Sequence, residues 1–187
     1  MMVMRISFSL WLSLLLCGAA LFEQRVSGQT LSGRRAPSFS LPDGNSVQHD
    51  ILDYRNKWLL LDFMKTQDCP HCPPLTKALE EIKKLAGTKV EVLSVVLTPP
   101  ENANTAARYI VDNKMSSSIV FDQSQVAIAY YKATPAHPGI DTPHLFVINP
   151  AGLIVKDYGE GALIPYLTGK ASLWSELQAM INGATSK

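Results

Sequence analysis

Cys69-Pro70-His71-Cys72 joins two segments of opposite hydrophobic periodicity. Before it, Lys57-Trp58-Leu59-Leu60-Leu61-Asp62-Phe63-Met64 is an almost unbroken apolar run, the pattern of a buried strand. After it, Leu75, Ala78, Leu79, Ile82 and Leu85 recur at helical spacing, predicting a helix over about 70–85. The chain must therefore leave a buried strand and turn almost at once into an amphipathic helix, which points to an α/β fold. Two thiols three residues apart can close a small ring, so each can act as the other's leaving group. Helix-start amides favour a thiolate, which is the reactive form of a cysteine.

Arg5 precedes an apolar run from Ile6 to Phe22, and Val26-Ser27-Gly28 offers a cleavage site before Gln29. This pattern predicts a secretory signal peptide over 1–28 and a single domain over 29–187. A retained membrane anchor is the competing reading. The third cysteine, Cys17, falls inside this leader, and Leu16 stands where a lipidated cysteine needs a small neighbour. A secreted chain whose two remaining thiols share one C-x-x-C is using them for chemistry, since a structural staple would close a longer loop. Loss of the leader removes Arg5, Arg25 and Glu23 and balances acidic against basic residues. No strongly basic face is implied, which argues against nucleic acid as a partner.

The rest of the chain alternates strand and helix signals. Residues 36–48 read as a small hairpin turning at Pro42-Asp43-Gly44-Asn45, and 89–97 as a second buried strand. Thr98-Pro99-Pro100-Glu101 reads as a helix start, with Thr98 as cap, Pro99 in the first turn and Glu101 closing a capping box. That helix runs to about Asn113. A short strand at 118–122, a short helix at 123–132 and a Pro-, Ala- and Gly-rich loop at 133–141 follow. Two strands, 143–148 and 153–156, flank the turn Asn149-Pro150-Ala151-Gly152, and a last helix spans about 171–182 with Leu173, Leu177 and Ile181 on one stripe.

Four ordered motifs carry a resemblance. Ala36-Pro37-Ser38-Phe39-Ser40-Leu41-Pro42-Asp43-Gly44 resembles the opening of the redoxin branch of the thioredoxin superfamily. Cys69-Pro70-His71-Cys72 is similar to that superfamily's active site, with the Pro-His dipeptide of DsbA-type oxidases. Thr142-Pro143 with the following 146–154 resembles its proline-containing strand and hairpin, and the insertion at 98–133 fits the TlpA/ResA-like subgroup. The resemblance implies a thioredoxin-like fold: a central mixed sheet flanked by helices, an N-terminal β-hairpin and a central insertion. It implies dithiol–disulfide exchange with protein thiols or disulfides, an unidentified redox partner, no cofactor, and a periplasmic or secreted setting. Cys69 is expected to be the nucleophile and Cys72 the resolving cysteine, with Pro70 and His71 tuning the couple. Pro143 is implied to be cis and to bind substrate together with Thr142.

Several positions depart from that pattern. Asp68 precedes the first cysteine where Trp is common, and its charge opposes a thiolate. Thioredoxins carry a buried acid six residues before the first cysteine; here Phe63 holds that place and Asp62 is one further away. Asp62 is left between a proton acceptor and a solvated or capped strand-end carboxylate. Pro74 is expected to remove an early helix bond. Thr66, three before Cys69, is placed as in peroxiredoxins, but Asp62 replaces the proline expected there, which argues against peroxidase chemistry. A competing class is a Sco-like copper metallochaperone using Cys69, Cys72 and His144, although the cysteine spacing is one residue short. A third is a binding domain with a structural disulfide. A lone histidine such as His137 is read as structural or solvated.

Overall fold

The computed structural model describes residues 31–132 and 141–183. The leader at 1–28, His137 and nearly all of the 133–141 loop lie outside the described residues. The hairpin β1 (Ser40–Pro42) and β2 (Gln48–Asp50) is an antiparallel pair apart from the main sheet. The main sheet comprises β3 (Trp58–Phe63), β4 (Val90–Leu97), β5 (Ser118–Asp122), β6 (His144–Ile148) and β7 (Ile154–Tyr158) in the order β5-β4-β3-β6-β7. β3 runs parallel to β4, and β4 to β5, while β6 and β7 add antiparallel partners on the other side. The mixed sheet expected from the sequence is therefore present, with the terminal hairpin forming one edge.

All six residues of β3 are buried, because both faces are covered. Leu59, Leu61 and Phe63 pack with Phe39, Leu41 and Tyr130, under the hairpin and helix α3 (Gln125–Tyr131). Trp58 and Leu60 face the other way, against Leu75, Leu79 and Ile82 of α1 (Cys72–Ala86). The same face receives Leu163 of α4 (Glu160–Leu167) and Leu173, Leu177 and Ile181 of α5 (Leu173–Gly183). Beside them, Ala106 and Tyr109 of α2 (Ala103–Asn113) pack with Met64, Cys72 and Ile119.

Three local expectations are corrected. Pro73 and Pro74 cost α1 no hydrogen bond. With His71 at the N-cap, the first bond of the helix runs from Leu75 N–H to the His71 carbonyl, at 3.2 Å, so both prolines fall where amides lack intrahelical partners. α2 begins later than expected: Asn102, not Thr98, is its cap, accepting from Asn104 N–H (3.0 Å) and Thr105 N–H (3.2 Å). Two successive prolines bar the preceding residues from helical backbone, which pushes the start downstream. Finally, α4 was not expected, because its Gly-rich start and internal Pro165 mask a helical pattern. At the far end of α1, Leu85 is exposed although it falls on the apolar spacing.

Leu79 is 1% exposed in the centre of the α1–sheet contact. Leu79→Ala should lower stability by about 3 kcal/mol in urea denaturation, the usual cost of a buried leucine truncated to leave a cavity.

Candidate active site

β3 ends at Phe63, and Met64 extends the pairing by donating its N–H to the Val95 carbonyl at 3.0 Å. The chain then crosses the sheet end in a short loop before Cys69. Glu101, 5% exposed, fixes that loop. It accepts from Thr66 N–H at 2.8 Å, from the Thr66 hydroxyl, and from the Thr105 hydroxyl at 2.7 Å. The residue read from sequence as part of a helix cap is thus a clamp between the loop and α2. The Thr66 hydroxyl is committed to Glu101. Asp68 closes the loop with a positive φ of 52°, a conformation aspartate tolerates better than most residues.

Cys69 and Cys72 form a disulfide with their Cα atoms 5.4 Å apart. Cys72 is fully buried at the start of α1, packed with Met64 and Tyr109, whereas Cys69 is only half-buried in the preceding turn. The helix start supplies few amides to this pair. Pro73 and Pro74 have none, and Cys72 N–H is donated to the Cys69 carbonyl at 3.3 Å. The side chain nearest in sequence that can carry positive charge is His71, whose Nδ1 lies 2.7 Å from Oε1 of Glu160 on α4. Pro70 is exposed.

Pro143 is buried, and the Thr142–Pro143 peptide is cis. Because Phe63 is paired with His144, Pro143 falls level with Met64, on the face that carries Cys72. His144 lies on the opposite face, stacked on Phe146 with ring centroids 4.5 Å apart. Its Nε2 is 2.6 Å from Oδ1 of Asp157. Burial by itself would raise the Asp157 carboxyl, but hydrogen bonds from His144 and Leu31 N–H hold it below the usual carboxylate range. His144 is therefore not gathered with the two sulfurs. Among the described residues, no three His, Cys, Asp or Glu side chains come together as metal ligands.

Asp62 is neither solvated nor capped. It is 0% exposed, and neither carboxylate oxygen has a hydrogen-bond partner among the described residues. It lies on the α1 face between Leu60, which packs with Leu75, and Met64, which packs with Cys72. Burial alone pushes its pKa up to about 8. Burial likewise carries Tyr109 up to about 12; the Thr76 hydroxyl, 3.0 Å from the Tyr109 hydroxyl, opposes that rise, and the charge of Asp62 adds to it.

A family model, the AhpC/TSA family, matches residues 32–157. The chain belongs to the AhpC/TSA family. Among curated proteins, no relative matches it. Among solved structures, this family member is similar to the thioredoxin domain of a thiol-disulfide oxidoreductase from Bacteroides vulgatus: 16% identity and TM-score 0.62, over 80% of this chain and 97% of that one. It is also similar to a putative thiol:disulfide interchange protein DsbE from Chlorobium tepidum, with 17% identity and TM-score 0.58 over 74% and 99% of the two chains. A secreted Mycobacterium tuberculosis disulfide oxidoreductase shares 12% identity and TM-score 0.57 over 78% and 95%. At these identities the likeness establishes the thioredoxin-like fold.

Sequence reading named the cysteines, His71, Thr142 and Pro143 but missed Glu160 and the clamp role of Glu101. Glu160 lies 89 residues from His71 on a helix with no sequence signature, so no local pattern could have joined them.

Two outcomes follow from this geometry. Glu101→Ala leaves the Thr66 N–H and hydroxyl without their acceptor and should cost about 2 kcal/mol in urea denaturation. For Asp62, the oxidised native state holds a proton that the unfolded chain releases near pH 4, so stability should fall as pH rises from about 4 to about 8. Asp62→Asn should abolish that slope and add on the order of 2 kcal/mol at neutral pH, read from urea midpoints at pH 5 and pH 8.

Proposed function

We propose that this protein is a thiol-disulfide oxidoreductase that exchanges the Cys69–Cys72 couple with protein thiols or disulfides. The observation that carries the reading is the asymmetry of the pair: one sulfur half-buried in a turn, the other fully buried at the helix start. The family membership and the folds of the similar oxidoreductases support it.

In the reducing direction, the Cys69 thiolate attacks one sulfur of a substrate disulfide. A Cys69–substrate bond forms and the substrate's other sulfur leaves as a thiolate, which takes up a proton. Cys72, deprotonated, then attacks the Cys69 sulfur. The intramolecular disulfide forms, the second substrate thiolate leaves, and two electrons have passed from protein to substrate. Oxidation of a substrate dithiol is the same sequence reversed. Cys72 is shielded from water, so its proton needs an internal acceptor. Asp62 fits that role in its carboxylate form, because it lies on the face of β3 that carries Met64, which packs with Cys72. An extended substrate segment would pair with the backbone at Thr142, since Pro143 has no N–H to donate. Pro70 and His71 set the potential of the couple.

The setting proposed is periplasmic or secreted, with 1–28 as a signal peptide, 29–187 as the working domain, and an unidentified partner that resets the couple. Among the described residues, no helix is long and apolar enough to cross a membrane.

The test uses two single variants. Cys69→Ser should abolish exchange, whereas Cys72→Ser should accumulate a mixed disulfide visible on a non-reducing gel. Limiting alkylation of the reduced protein should label Cys69 first. Preferential labelling of Cys72 would reverse the roles, and exchange surviving both substitutions would refute the activity. The reduction potential then fixes direction: a value near the strongly oxidising end means disulfide formation, and one near thioredoxin means reduction.

A further inference from the structure

We infer that Glu160 is a positioning residue for the redox centre, acting on Cys69 through His71. The inference rests on the exchange activity proposed above. His71 Nδ1 and Glu160 Oε1 are 2.7 Å apart, with the two side chains 35% and 39% exposed. With its Nδ1–H donated to a carboxylate, the imidazole keeps Nε2 as its proton acceptor. Glu160 is itself held in place. Its N–H is donated to Oδ2 of Asp141 at 2.8 Å, a cap for α4 supplied from outside the helix. Gly159 makes room for this, because a Cβ there would come 2.6 Å from the same Asp141 oxygen. The Asp141 carbonyl is fixed in turn by the Tyr131 hydroxyl at 2.8 Å. Asp141 directly precedes Thr142-Pro143, so one chain of contacts links the proline loop, α4 and His71 between the cysteines.

The prolines after Cys72 are the second line of argument. They remove amides that a helix start would otherwise offer to a thiolate, and Cys72 N–H is already taken. Around the motif, Asp68, Asp141 and Glu160 are acidic, and the nearest lysines in sequence, Lys65 and Lys77, are exposed. Thiolate formation at Cys69 then depends on His71. The Cys69 thiol gives its proton to Nε2, leaving a thiolate and an imidazolium whose second N–H is held by the Glu160 carboxylate. When the thiolate has attacked a disulfide, the imidazolium returns that proton to the departing substrate sulfur, and no other reagent is needed.

The sign of the effect separates this role from simple charge. A carboxylate acting directly on Cys69 disfavours the thiolate, so its removal would lower the pH at which Cys69 ionises. A carboxylate acting through His71 does the reverse. Glu160→Gln should therefore raise the pH midpoint of the thiolate absorbance. It should also move the glutathione equilibrium roughly threefold toward the protein disulfide, about 14 mV in a two-electron couple and the scale of a half-exposed ion pair. Glu160→Asp should restore part of the shift. In a His71→Ala background, Glu160→Gln should change neither quantity. An unchanged midpoint and potential, a shift of opposite sign, or the same shift without His71 would overturn the inference. Wild-type protein that never equilibrates with glutathione would overturn the exchange reading and this one together, whereas an exchanging wild type with an indifferent Glu160→Gln overturns this one alone.

Discussion

Burial of β3 on both faces is the constraint from which the site follows. A strand with no exposed residue must have both sides covered, and here the hairpin and α3 cover one while α1 and the C-terminal helices cover the other. Its pairing with β4 and β6 ends within a residue or two of Phe63. Where that pairing stops, the backbone is released into a loop. α1 then has to start immediately to bring Leu75 and Leu79 back over Leu60. The cysteines lie in that reversal, at the end of the sheet and beside the loop before β6.

The same burial explains a group that conflicts with it. Asp62 lies in a strand built of leucines and gains no hydrogen bond in return for losing water. A buried carboxyl with nothing to satisfy it destabilises the fold whenever it must ionise. That sacrifice is intelligible beside a pair of cysteines that must lose and regain a proton away from solvent. Other acidic groups are satisfied in different ways. Glu101 is saturated by hydroxyl and amide donors, Asp157 is held by His144, and Glu160 faces His71.

Copper binding looked open in the sequence because His144 follows Pro143 directly. Strand alternation decides against gathering it with the sulfurs. Pro143 and Leu145 face α1, so His144 must face Phe146 and Tyr131, where Asp157 takes its Nε2. One residue of register separates a neighbour of the cysteines from a residue behind the sheet.

The sequence by itself determined the strand-to-helix junction, the sheet strands and the redox cysteines. These follow from local periodicity and from residue types whose chemistry is the same in any fold. Helix α1 was legible because Leu75, Leu79 and Ile82 repeat at its pitch. α4 was not, because Gly159, Gly161 and Pro165 mimic a loop, whereas the packing of Leu163 against the sheet and the cap from Asp141 support the helix. The start of α2 moved from Thr98 to Asn102 because consecutive prolines exclude helical backbone before them, although each alone is welcome in a first turn. Tertiary structure alone decided that Asp62 is dry, that Glu101 grips Thr66, and that Glu160 meets His71. Each of these depends on bringing residues tens of positions apart to within hydrogen-bond distance or on sealing a group from water. A linear pattern carries information about which face a residue takes, but none about which distant side chain will be waiting there.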